Sequence, residues 1–122
     1  MSFAYELGLK TATFIADCDL SAYQYHAVKM NTDEEVVLAS DVTDRPLGVL
    51  QDTPAAAGRG ALVAIGGITK AIGAGVIAAG AAVEVASGGK FQTLTNGPIA
   101  GNAVTACGAD DEQFALLFYT GE

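Results

Sequence analysis

The chain has 122 residues and a mass of 12.3 kDa, enough for one domain and too little for a multidomain machine. Hydrophobic residues make up 51% and charged residues only 16%, which excludes a disordered chain and a charged coiled coil. A net charge of −8 excludes phosphate neutralisation as a way of holding nucleic acid, and an anionic membrane surface would repel the protein too.

At the N-terminus, Phe3, Tyr5, Leu7 and Leu9 alternate with smaller or polar residues. Residues 1–16 read either as an extended arm adding to another subunit's sheet edge or as the first strand of the same barrel. On both readings these four side chains are candidate subunit or partner contacts. The N-terminus lacks the basic opening of a secretory signal, and Glu6 interrupts its apolar stretch, so no such signal is expected.

Short β-branched or aromatic runs between turn formers then recur along the chain, and no window shows helical amphipathicity. Strands are expected at Ala12–Ala16, Tyr23–Met30, Glu35–Ser40, Leu47–Gln51, Ala61–Ala71, Ala82–Ala86, Phe91–Thr95, Ala103–Cys107 and Gln113–Thr120. One helical turn is expected at Ala74–Ala79. The apolar run Ala71–Val83 is too short to cross a bilayer and is broken by glycines. The pattern predicts an all-β fold, a small β-barrel or β-sandwich of roughly seven to nine short strands in a single domain over residues 17–122. A faint internal echo pairs Val28-Lys-Met30 and Pro46-Leu-Gly48 with Val83-Glu-Val85 and Pro98-Ile-Ala-Gly101, as if two similar modules spanned about 23–66 and 78–119.

Candidate chemistry is sparse. His26, the single histidine, falls inside the strand pattern Tyr23–Met30 on a face shared with Gln24, Val28 and Met30, a packing or interface position more than that of a general base. Cys18 lies eight residues away, but Asp17 and Asp19 flank it and would weaken its thiolate. Cys18 and Cys107 lack zinc spacing and read as two small buried thiols. The acidic clusters Asp17-Cys-Asp19, Asp33-Glu-Glu35, Asp41 with Asp44, and Asp110-Asp-Glu112 miss the calcium-loop pattern and read as solvated turn charge. Asp110-Asp-Glu112 also guards the aggregation-prone run that follows it. Glycine pairs lack phosphate-loop spacing, and the six basic residues are dispersed, so no cofactor, metal or catalytic constellation is expected. Tyr23 and Tyr25 are the close aromatic pair that a carbohydrate-binding or adhesin module would need, and they join the candidate contact residues. More apolar surface than a small barrel can hide points to a protein partner.

Asp44-Arg-Pro-Leu-Gly-Val-Leu-Gln51, Ala61-Leu-Val-Ala-Ile-Gly-Gly-Ile-Thr-Lys70, Ile77-Ala-Ala-Gly80 with Val83, and later Gly101-Asn-Ala103 together resemble the small capsid cement, or head decoration, proteins of tailed bacteriophages. The resemblance runs over residues 17–119; the N-terminal segment lies outside it and the closing strand is more aromatic. It implies a non-enzymatic β-barrel, often a homotrimer, bound to the virion exterior. Its partner would be the major capsid protein, at junctions between subunits of the expanded shell. Such a protein is made in the host cytoplasm and touches neither nucleic acid nor membrane.

Overall fold

A computed structural model describes residues 6–119, and the chain over that span is all-β. Nine strands follow in order: β1 (Leu7–Ile15), β2 (Ala27–Met30), β3 (Val36–Leu38), β4 (Gly48–Leu50), β5 (Gly60–Ala74), β6 (Ala82–Val85), β7 (Phe91–Thr93), β8 (Gly101–Ala103) and β9 (Asp110–Phe118). The described residues contain no α-helix. The turn expected at Ala74–Ala79 is absent, and a single 3-10 turn lies instead at Ser87–Gly89.

β5 organises the molecule. Its second half pairs antiparallel with β9 and closes a five-stranded barrel in the order β5, β9, β8, β6, β7. A ring with an odd number of strands cannot be antiparallel throughout, and the one parallel contact is Gly73 beside Phe91. The first half of β5 pairs antiparallel with β1 and β4, β4 with β2, and β2 with β3. A parallel bridge from Ala16, just past β1, to Val36 at the start of β3 loosely closes a second ring.

The two rings repeat each other pair by pair. In β2 and β3, Val28 opposes Leu38 and Met30 opposes Val36; in β6 and β7, Val83 opposes Thr93 and Val85 opposes Phe91, each 55 residues later. Ala27 with Val49 and Val28 with Gly48 correspond to Ala82 with Asn102 and Val83 with Gly101. Thr11 with Ala64 and Ile15 with Gly60 correspond to Ile68 with Leu117 and Ile72 with Gln113. The sequence β1 to β5 is thus repeated as β5 to β9, with β5 serving as last strand of the first unit and first strand of the second.

Gly48 and Gly101 hold equivalent places, and a Cβ on either would overlap a carbonyl oxygen of the neighbouring strand, Ala64 or Leu117 respectively. Glycine is required at both because the backbones approach so closely.

Two buried clusters lie on opposite faces of the first ring's strands. Val28, Leu50 and Val63, with Val36, Leu20, Ala16 and Ala61, fill the small core inside that ring. Their chain neighbours Ala27, Val49 and Ala64 point the other way, into the larger core with Phe91, Phe114, Leu116 and Phe118. A strand buried on both faces reads as a continuous apolar run, as Gly48-Val-Leu50 does. Phe91 and Phe114 meet edge to face at 6.4 Å.

Several strand ends depart from the sequence expectation. Tyr23–His26 is a loop, because Tyr25 takes a left-handed backbone at φ 67° and the ladder starts only at Ala27. His26 therefore shares no strand face with Val28 and Met30. β8 occupies Gly101–Ala103 rather than Ala103–Cys107; Cys107 instead exchanges backbone hydrogen bonds with Ile77.

Candidate functional site

The groups capable of chemistry are dispersed and mostly structural. His26 is half-buried, with Nδ1 3.0 Å from the Gln24 carbonyl and its ring edge to face with Tyr23 at 5.4 Å. Cys18 is exposed, which corrects the expectation of two buried thiols, and no hydrogen bond joins it to His26 among the described residues. Cys107 is buried, its thiol donates to the Ala109 carbonyl at 3.2 Å, and burial pushes its pKa up. Among the described residues no three His, Cys, Asp or Glu side chains converge as metal ligands, and no ligand-sized cavity is found.

The acidic residues anchor turns. Glu84, in the middle of β6, is fully buried and accepts hydrogen bonds from Gln92 Nε2 at 2.6 Å, Thr95 Oγ1 at 2.7 Å, Asn96 N at 3.1 Å and Gly97 N at 2.6 Å. Burial alone would raise its pKa; the donors from Thr95, Gly97 and Gln92 overcome that and hold it at about 2. In the first unit the position of Glu84 is taken by Lys29, which binds Asp44 at 3.0 Å, and Asp44 accepts from Ser40 N and Asp41 N at 3.1 Å. Both units therefore pin the same turn with a carboxylate, supplied from different positions. The two turns touch, since a Cβ on Gly97 would overlap the Val42 carbonyl oxygen. Lys90 binds Asp110 and Asp111 at the head of β9, which raises the lysine's pKa.

The predicted contact residues separate into two places. Phe3 and Tyr5 lie outside the described residues. Leu7 is 65% exposed on β1, while Leu9 packs against the larger core. Tyr23 packs on the smaller core. Tyr25 is held by its backbone, its N–H donating to the Leu50 carbonyl at 2.6 Å and its carbonyl accepting from Ile72 N at 3.2 Å. Lys70 Nζ lies 5.7 Å from its ring centroid. The two tyrosines thus serve separate contacts and form no shared stacking platform.

What the surface does offer is an exposed strand with an apolar row beside it. Leu7, Ile68 and Leu117 are register partners across β1, β5 and β9, so their side chains share one face, and Asn102 on β8 continues the row. Leu7, Leu117 and Tyr119 are among the exposed large apolar side chains, and the Tyr119 hydroxyl donates to Asn102 Oδ1. Ile68, Leu117 and Tyr119 lie in runs that read as core strand in the sequence. Only the register shows which of their residues face outward.

No protein-family model and no curated protein matches the chain. Among solved structures, it is similar to head fiber gp8.5 N base in bacteriophage phi29, with a TM-score of 0.66 and 18% sequence identity over 93% of this chain and 98% of that one. At that identity the likeness is one of fold.

Proposed function

We propose that this protein is a structural component of a bacteriophage virion that binds the outside of the icosahedral capsid and holds the expanded shell at junctions between major capsid subunits. The observation that carries the reading is the fold likeness, over nearly the whole of both chains, to the base of a phage head fiber, joined to the residue resemblance between 17 and 119. The surface fits such a role. The row Leu7–Ile68–Leu117, with Tyr119 beside it, offers apolar area to a protein partner, and fully burying one such side chain contributes about 1.5–3 kcal/mol.

The action would be mechanical, with no reaction assigned to any residue. Binding that follows shell expansion requires greater affinity for the expanded state than for the compact one. The −8 charge keeps a protein made in the host cytoplasm from adhering to nucleic acid before it assembles. Co-sedimentation of the purified protein with immature and with expanded capsids tests the reading. Retention on expanded shells, lost in Leu117→Lys, is expected; no retention on either shell refutes it.

A further inference from the structure

We infer that Asn96–Gly97 is a latent deamidation site, which Glu84 keeps closed while the chain is folded and which is released when the turn around it opens. The chain has three asparagines, and only Asn96 is followed by glycine. In such a pair the Gly97 backbone nitrogen can attack the Asn96 side-chain carbonyl carbon, because glycine puts no Cβ in the way. A new C–N bond closes a succinimide ring, the bond to the carboxamide nitrogen breaks, and that nitrogen leaves as ammonia with the proton from the Gly97 amide. Water then opens the ring at either carbonyl, giving aspartate or isoaspartate.

The electrophile is at hand. Asn31 Oδ1 accepts from Asp33 N at 2.9 Å and Glu35 N at 3.0 Å, and Asn102 Oδ1 accepts from the Tyr119 hydroxyl. Asn96 is exposed, and no hydrogen bond holds its carboxamide among the described residues.

The nucleophile is withheld. Gly97 N–H donates to Glu84 Oε1 at 2.6 Å, and Asn96 N–H donates to the same oxygen at 3.1 Å. Attack requires the Gly97 nitrogen to give up its proton and turn toward the Asn96 side chain, and the fold opposes both moves. Deprotonation would break a short charge-assisted hydrogen bond and set a second negative charge against a fully buried carboxylate. With a pKa of about 2, Glu84 is also too weak a base to take the proton itself. Turning is blocked by packing, since Gly97 lies so close to the first unit's turn that a Cβ would overlap the Val42 carbonyl oxygen. That contact requires glycine at 97, so the fold keeps the reactive neighbour and guards it.

A chain that opens this turn loses the guard. Isoaspartate adds a methylene to the main chain, so the amides of residues 96 and 97 no longer both reach Glu84 Oε1 and the turn cannot reseat. Opening thereby becomes irreversible and leaves a mark at one residue. The guard depends on Glu84 and not on the capsid, so it is tested on the protein alone.

The test incubates the full chain at mildly alkaline pH, in native buffer and in urea, and reads the exchange of NH2 for OH in the Asn96 peptide by mass spectrometry. Conversion is expected to be at least tenfold slower in native buffer than in urea. Glu84→Ala removes the acceptor, whereas Gly48→Ala lowers stability from a distance, and the two are compared with urea set to give equal unfolded fractions. Glu84→Ala is expected to convert at least fivefold faster, with Glu84→Gln, which keeps one acceptor oxygen, between them. Should Glu84→Ala fail to fold, hydrogen exchange at the Gly97 amide of the unaltered protein decides, with a rate expected at least tenfold below that of an unstructured chain. Equal conversion in native buffer and urea overturns the inference. So does a rate that follows the unfolded fraction alone in every variant, or a Gly97 amide that exchanges as in an unstructured chain.

Discussion

Replacing Glu84 with glutamine tests the turn anchor most directly. The carboxylate is fully buried and accepts four hydrogen bonds, two of them from the backbone of Asn96 and Gly97. Its pKa falls from an ordinary 4.5 to about 2, which corresponds to about 3 kcal/mol. Only a thin turn separates the group from bulk water, so solvent screening brings the expected contribution to about 2 kcal/mol. Glu84→Gln keeps the shape and one acceptor but sets an amide donor against donors, so a loss of about 2–3 kcal/mol is expected at pH 7. The folded-state pKa lies below the unfolded one, so the contribution is complete above pH 4.5 and fades as pH falls toward 2. Urea denaturation of both proteins between pH 7 and pH 2.5 measures this. The two curves are expected to converge on acidification. A gap that stays constant with pH, or a loss under about 1 kcal/mol at pH 7, would refute the reasoning.

Further expectations rest on equally local geometry. Gly48→Ala and Gly101→Ala should each lower stability by about 3 kcal/mol in thermal unfolding, since a Cβ at either meets a ladder carbonyl that cannot yield; a neutral result at both would contradict the shared register. Asp44→Ala removes two amide caps and the Lys29 ion pair, and a loss of about 1–2 kcal/mol is expected by denaturant midpoint. Thiol titration should label exposed Cys18 at once and Cys107 only on unfolding, since Cys107 is buried and its pKa is raised. Equal labelling rates in the native state would count against the placement of Cys107.

The sequence and the structure meet most closely in strand positions, because turn formers such as Asn31-Thr-Asp33 and Ser87-Gly-Gly89 punctuate the chain wherever the sheet reverses. The strand ends were less legible. The expected strand stops at Ala71 and a helical turn is expected from Ala74, yet β5 continues through Ala74, since Gly73 is where that strand meets Phe91. Facing was hidden for a different reason. Where one residue of a strand points into the small core and the next into the large one, as Val28 and Ala27 do, alternation vanishes from the sequence. The repeat is faint in residues because what recurs is register and close backbone approach, which fix few identities beyond Gly48 and Gly101. The signal for Glu84 is visible in the sequence as a lone charge within Ala82-Val-Glu-Val85 followed by the turn Thr95-Asn-Gly97, but only the fold brings the two together. On the surface, the alternation of Leu7 and Leu9 drew attention to the right strand, while the bulge near Gly8 decides that only Leu7 is well exposed.

β5 carries a consequence for how the molecule yields. Its 15 residues belong to both rings, so neither ring can lose it without the other losing it too, and the two cores should melt in one transition. β1 and β9 overlap β5 from opposite edges, like two plates bolted to a common bar. Tension drawn along these strands loads a row of hydrogen bonds together in shear, whereas peeling would break them one at a time. Under any load applied along β1 and β9, that lap joint is the part of the protein suited to being pulled.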